Sequence, residues 1–82
     1  GKDMAEYAAA NGFNALHADY HLVDRALVEK AHSLGIAVNV WTVDQPADIR
    51  RMLELHVDNI ISNDAALALE LRDAFEKEGN AE

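Results

Sequence analysis

Three apolar stretches rich in β-branched or aromatic residues, Phe13 to Ala18, Ile36 to Val43 and Asn59 to Ser62, recur at a constant interval. Their first residues stand 23 positions apart, from 13 to 36 and again from 36 to 59. Each interval has room for one helix and two short loops, which is the crossover length that parallel strands demand. The intervening segments read as helices. Lys2 to Asn11 sets Met4, Tyr7 and Ala8 on one face, with Gly12 as the stop. Asp24 is an N-cap type ahead of Leu27, Val28, Ala31 and Leu34, and Gly35 closes that helix. Asp44-Gln45-Pro46 supplies an acceptor at the cap and proline in the first turn, followed by Ile49, Met52, Leu53 and His56 on one face. A fourth helix over Asp64 to Phe75 aligns Leu67, Leu71, Ala74 and Phe75, and the polar tail 76–82 is expected to fray.

The order is therefore α-β-α-β-α-β-α, an α/β chain with three parallel strands. The middle strand, Ile36 to Val43, is apolar at nearly every position, as strands covered on both faces are. Such a pattern suits a doubly wound sheet or an arc of a (β/α)8 barrel, and periodicity does not separate the two.

Size makes either fold hard to hold alone. An 82-residue chain buries only ~60% of the surface its unfolded form exposes. With no cysteine, neither disulfides nor thiolate metal sites can compensate. Half the residues are nevertheless hydrophobic, which predicts apolar surface intended for other protein. The formal net charge of −8, from 15 acidic and 7 basic residues, would repel a polyanion, so nucleic acid and anionic membrane surfaces are excluded as partners. No apolar run is long enough to span a bilayer. A cytoplasmic setting is expected.

One segment is more than generic. Val38-Asn39-Val40-Trp41-Thr42-Val43-Asp44, then Asp48 to Leu55, then Val57-Asp58-Asn59-Ile60-Ile61-Ser62 resembles the closing part of glycerophosphodiester phosphodiesterases. That family carries a V-x-V-W-T-V-N strand and turn, a helix ending in leucine-glycine-valine-aspartate, and a G-I-I-T-D strand end. Leu16-His17-Ala18-Asp19, with Leu22-Val23-Asp24 and the helix after it, is similar to the preceding unit. The resemblance implies that residues 1–82 form the C-terminal portion of a (β/α)8 barrel, a TIM barrel, supplying three strands and their helices. It implies hydrolysis of glycerophosphodiesters to glycerol 3-phosphate and an alcohol, with calcium or magnesium in the complete enzyme. The family's histidine-arginine-glycine motif and glutamate-x-aspartate metal pair do not occur here. No catalytic residue and no metal ligand is therefore assigned to this chain, and catalysis by it alone is not expected. Its partners would be the N-terminal part of a barrel or a second copy of itself. His56 and Asn59 stand where the family has glycine, and histidine tolerates positive φ less well.

Parallel barrels place their sites at the C-terminal ends of the strands. Trp41 lies at such an end, and the resemblance makes it a pocket-lining residue whose indole offers a flat apolar wall and one donor. Asn39 shares its strand face and is a second substrate-contact candidate. His17 is a third. His17, Asp19 and His21 alternate, so an extended strand would put all three on one side in reach of a transition metal, although solvated loop residues explain them as well. Ser62 or Asn63 is expected to cap the last helix. The competing reading is a free-standing acidic αβ interaction module, in which the chain itself would cover Asn39 and Trp41.

Overall fold

The computed structural model describes residues 4–80. Four helices and three strands alternate: α1 (Met4–Ala10), β1 (Ala15–Asp19), α2 (Arg25–Ser33), β2 (Ala37–Trp41), α3 (Pro46–Glu54), β3 (Asn59–Ile60) and α4 (Ala65–Asn80). A single 3-10 turn, Tyr20–Leu22, follows β1. The strands form one parallel sheet in the order β1-β2-β3. Position 2, where the first helix was expected to begin, lies outside the described residues, as do positions 81 and 82 of the tail.

Helices cover one face of the sheet. Ala18, Val38 and Val40 point into a core with Ala5 and Ala8 of α1, Val28 and Ala31 of α2, and Ile49 and Met52 of α3. Every one of these side chains is at most 4% exposed. Alternation then turns His17, Asn39 and Trp41 to the opposite face, which no helix of the described residues covers. The middle strand is thus apolar at its buried positions but not buried on both sides. Full burial of an aliphatic side chain is worth ~1.5–3 kcal/mol, so the helix-covered face dominates the stability of this unit.

Three helices end in the same Schellman turn. After α1, Gly12 N–H donates to Ala9 and Phe13 N–H to Ala8; after α2, Gly35 donates to His32 and Ile36 to Ala31; after α3, His56 donates to Leu53 and Val57 to Met52. The residue in the middle must take positive φ, and Gly12 (75°), Gly35 (74°) and His56 (62°) all do. This motif explains two departures from expectation. Phe13 is the residue after the turn, 55% exposed with its ring tilted against Tyr7 at 6.5 Å, so β1 begins two residues later. His56 lies past the end of α3 and does not share its buried face.

Other differences have equally local causes. In α1 the buried pair is Ala5 and Ala8, and Tyr7 is exposed, because small residues let this helix approach its neighbour closely. Asp24 caps α2, its side chain accepting from Leu27 N–H at 2.8 Å, as the sequence indicates. At α3 the cap is Gln45 without a side-chain bond, since the Asp44 carboxylate is engaged elsewhere. Asp64, and neither Ser62 nor Asn63, caps α4 by accepting from Leu67 N–H at 3.0 Å. That helix continues to Asn80 instead of stopping near Phe75. Arg50 of α3 holds the extension, making a two-pronged pair with Glu78 at 2.8 and 3.1 Å and lying over the Phe75 ring.

Candidate functional site

The parallel register builds the uncovered face in rows. His17, Asn39 and Asn59 are aligned across all three strands, and Asp19 is aligned with Trp41 one row nearer the C-terminal ends. All three residues picked out by sequence, Trp41, Asn39 and His17, therefore share one face, with Asn39 and His17 in the same row. Trp41 is 42% exposed, and among the described residues its indole N–H has no protein acceptor.

Asn59 completes the row. Its Nδ2 donates to Asn39 Oδ1 at 2.8 Å across β2 and β3. Sequence reasoning noted Asn59 only as a replacement for glycine. No spacing in the sequence gives this alignment: the 23-position recurrence would set position 39 level with 62, whereas the sheet pairs it with 59.

His21 does not join His17 and Asp19 on a strand. The chain leaves the extended conformation at Asp19, whose Oδ1 accepts from His21 N–H at 3.0 Å and meets His21 Nδ1 at 2.7 Å. The first of these bonds is the larger influence holding the Asp19 carboxyl below its ordinary pKa. Asp19 and His21 form a local cap. Among the described residues, no group of three or more His, Cys, Asp or Glu side chains is placed to hold a metal ion. The donors in these rows of the uncovered face are one imidazole, two neutral amides and the Asp19 carboxylate, which is already engaged by His21.

A second network positions the loop behind Trp41. Asp44 Oδ1 accepts from Asn63 N–H at 2.8 Å and from Ser62 Oγ at 3.0 Å, while Oδ2 accepts from Asn63 Nδ2 at 3.0 Å. The Asn63 backbone N–H is the main cause of an Asp44 pKa lowered from its ordinary value. Asp44 thus pins the loop leaving β2 to the loop leaving β3, three residues from Trp41. Tyr20 packs nearby, its hydroxyl donating to Asp48 Oδ2 at 3.2 Å, and desolvation raises its pKa first, with Asp48 adding to it.

The opposite end of the sheet carries a different device. Asp58 Oδ2 accepts from Val38 N–H at 2.6 Å and meets His32 Nε2 at 2.8 Å. Burial alone would raise the Asp58 pKa, but these two partners together lower it. In a parallel barrel this end concerns stability and not chemistry. His32 is accounted for by that contact.

Comparison with known proteins agrees with this geometry. The profile of the glycerophosphoryl diester phosphodiesterase family matches residues 2–67. A crystal structure from Silicibacter pomeroyi DSS-3, named a glycerophosphoryl diester phosphodiesterase, superposes with a TM-score of 0.87 at 29% identity. The match covers 92% of this chain and 25% of that one. A second, from Agrobacterium tumefaciens str. C58 and given the same name, has a TM-score of 0.79 at 22% identity, covering 89% of this chain and 30% of the other. The chain thus spans between a quarter and a third of the length of these solved relatives. No curated protein sequence matches it significantly. No helix among the described residues is long and apolar enough to cross a membrane.

Proposed function

The chain belongs to the glycerophosphoryl diester phosphodiesterase family, and from that premise we propose that it supplies three consecutive strands, and one wall of the substrate pocket, to a barrel that hydrolyses glycerophosphodiesters. The products are glycerol 3-phosphate and an alcohol. The observation that carries this reading is the uncovered sheet face, where Trp41, Asn39 and His17 stand at or near the C-terminal strand ends without shielding from the chain's own helices. A self-contained interaction module would cover that face.

In this reading the chain binds and orients. Hydrolysis of a phosphodiester requires proton transfer and neutralisation of phosphate charge. The uncovered face offers an indole wall, two amides and the His17 imidazole, while the Asp19 carboxylate at the end of β1 is held by His21 in a local cap. Calcium or magnesium, and the groups that hold it, belong to the remainder of the barrel, which is also the partner this surface fits.

The test is turnover of glycerophosphocholine with added calcium or magnesium. The 82-residue chain alone should give only background hydrolysis. Replacing the corresponding quarter of the Silicibacter pomeroyi protein with this chain should give metal-dependent release of glycerol 3-phosphate. Metal-dependent turnover by the purified chain alone would refute the assignment of chemistry to other strands. A folded chimera without turnover would refute the pocket-wall role.

A further inference from the structure

Within the row His17–Asn39–Asn59, the bond from Asn59 to Asn39 leaves one amide hydrogen-bonding group free on each residue. Asn39 retains its Nδ2 donor and Asn59 its Oδ1 acceptor, and among the described residues neither has another partner. Exchanging O and N in both amides would preserve the bond and again leave one donor and one acceptor. The pair is therefore a fixed donor–acceptor dyad on the uncovered face, one row below Trp41.

We infer that Asn59 and Asn39 together bind a vicinal diol, the free glycerol end of the substrate, with Asn59 acting as the positioning residue for Asn39. This rests on the pocket-wall reading and specifies what the wall recognises. A diol matches the dyad because one hydroxyl oxygen accepts from the Asn39 amide while the neighbouring O–H donates to the Asn59 carbonyl. A phosphate group does not match, since its oxygens only accept and would face the Asn59 carbonyl. The amides are neutral and do not titrate, so they recognise without taking part in proton transfer. The carbons of the glycerol would lie against Trp41, on the same face and nearer the strand ends. Asn59 also restricts Asn39 to one orientation, which reduces the side-chain freedom lost on binding.

An NMR titration of the isotope-labelled chain tests this directly, because the Asn39 and Asn59 side-chain amides each give their own signals. One ligand is glycerol 3-phosphate. The other is ethyl phosphate, which keeps the phosphate and lacks the hydroxyls. Both amides should respond to glycerol 3-phosphate at roughly five- to tenfold lower concentration than to ethyl phosphate, the preference that one net hydrogen bond provides. Asn59→Ala should remove the preference while the Trp41 indole signal still responds to both ligands. Equal response to the two ligands, a preference surviving Asn59→Ala, or no response of either amide would overturn the inference. If Asn59→Ala does not fold, the wild-type comparison alone decides. The readout needs no turnover: an inactive chimera would count against the proposed function and leave a measured diol preference intact.

Discussion

Three of the helices end in the same left-handed turn, yet only two of those turns place glycine at the residue that needs it. His56, at φ 62°, adopts a conformation that costs a side-chain-bearing residue ~1–2 kcal/mol. It is exposed, so removing its ring costs little packing. His56→Gly recovers the strain but adds backbone freedom to the unfolded chain. The expected balance is a gain of about 0.5–1 kcal/mol, read as a rise of several degrees in Tm at fixed protein concentration. Asp44 gives a prediction of another kind. Its folded pKa lies below the ordinary 3.8, so its network contributes stability that is present above that value. The contribution is lost as pH falls through the folded pKa. An acid titration followed by circular dichroism should show stability falling below about pH 4, and Asp44→Asn should flatten that part of the curve. An unchanged acid limb in the variant would assign acid sensitivity to the other carboxyls lowered in the same direction, Asp19, Asp58 and Glu78.

Among the elements, β2 and α4 lie at opposite extremes. The β2 side chains Val38 and Val40 are fully buried, and the strand is paired on both sides. Over residues 65–79 the α4 helix has no fully buried side chain, and Leu67, Leu71 and Phe75 are only partly covered. Its attachment depends on α3, where Arg50 reaches Glu78 and the Phe75 ring. Amide hydrogen exchange should therefore be slowest in β2 and fastest in the last turns of α4. Arg50→Ala should speed exchange from Phe75 onward and leave β2 unchanged. Uniform exchange across both elements would mean that α4 unfolds only with the whole unit.

At the scale of the molecule, the sheet formed by the described residues has two open edges and one uncovered face. β1 and β3 each pair on one side only, and open strand edges present unpaired N–H and C=O groups. Beside β3 lies a groove of about 860 Å³ lined by Leu53, Ile60, Ala68 and Phe75 together with Arg72 and Glu76. Self-association would cover such surfaces. The charge of −8 opposes it, and salt screens that repulsion beyond ~8 Å at physiological ionic strength. Sedimentation should show association that strengthens with added salt. A strictly monomeric, cooperatively folded chain at every salt concentration would contradict this. In a completed barrel, Trp41→Ala should lower kcat/KM by about 5- to 200-fold without abolishing turnover, the range expected for loss of an apolar wall.

What the sequence determined by itself was local or repetitive. The cap at Asp24, the proline in the first turn of α3, the stops at Gly12 and Gly35, and the regular alternation of strand and helix all follow from near-neighbour sterics and hydrogen bonding. The block around Trp41 carried the family as well. Tertiary structure decided what depends on distant partners. Asp44 is adjacent to the start of α3 in the chain, yet its carboxylate goes to Ser62 and Asn63 from the next loop. Asp64 is then left to cap α4. Arg50, 28 residues away, carries α4 beyond its expected end by holding Glu78. Asn59 becomes part of the site only because parallel pairing brings it level with Asn39. Strand register is a property of two segments at once, so the residue that completes the row could be placed only after the sheet had formed.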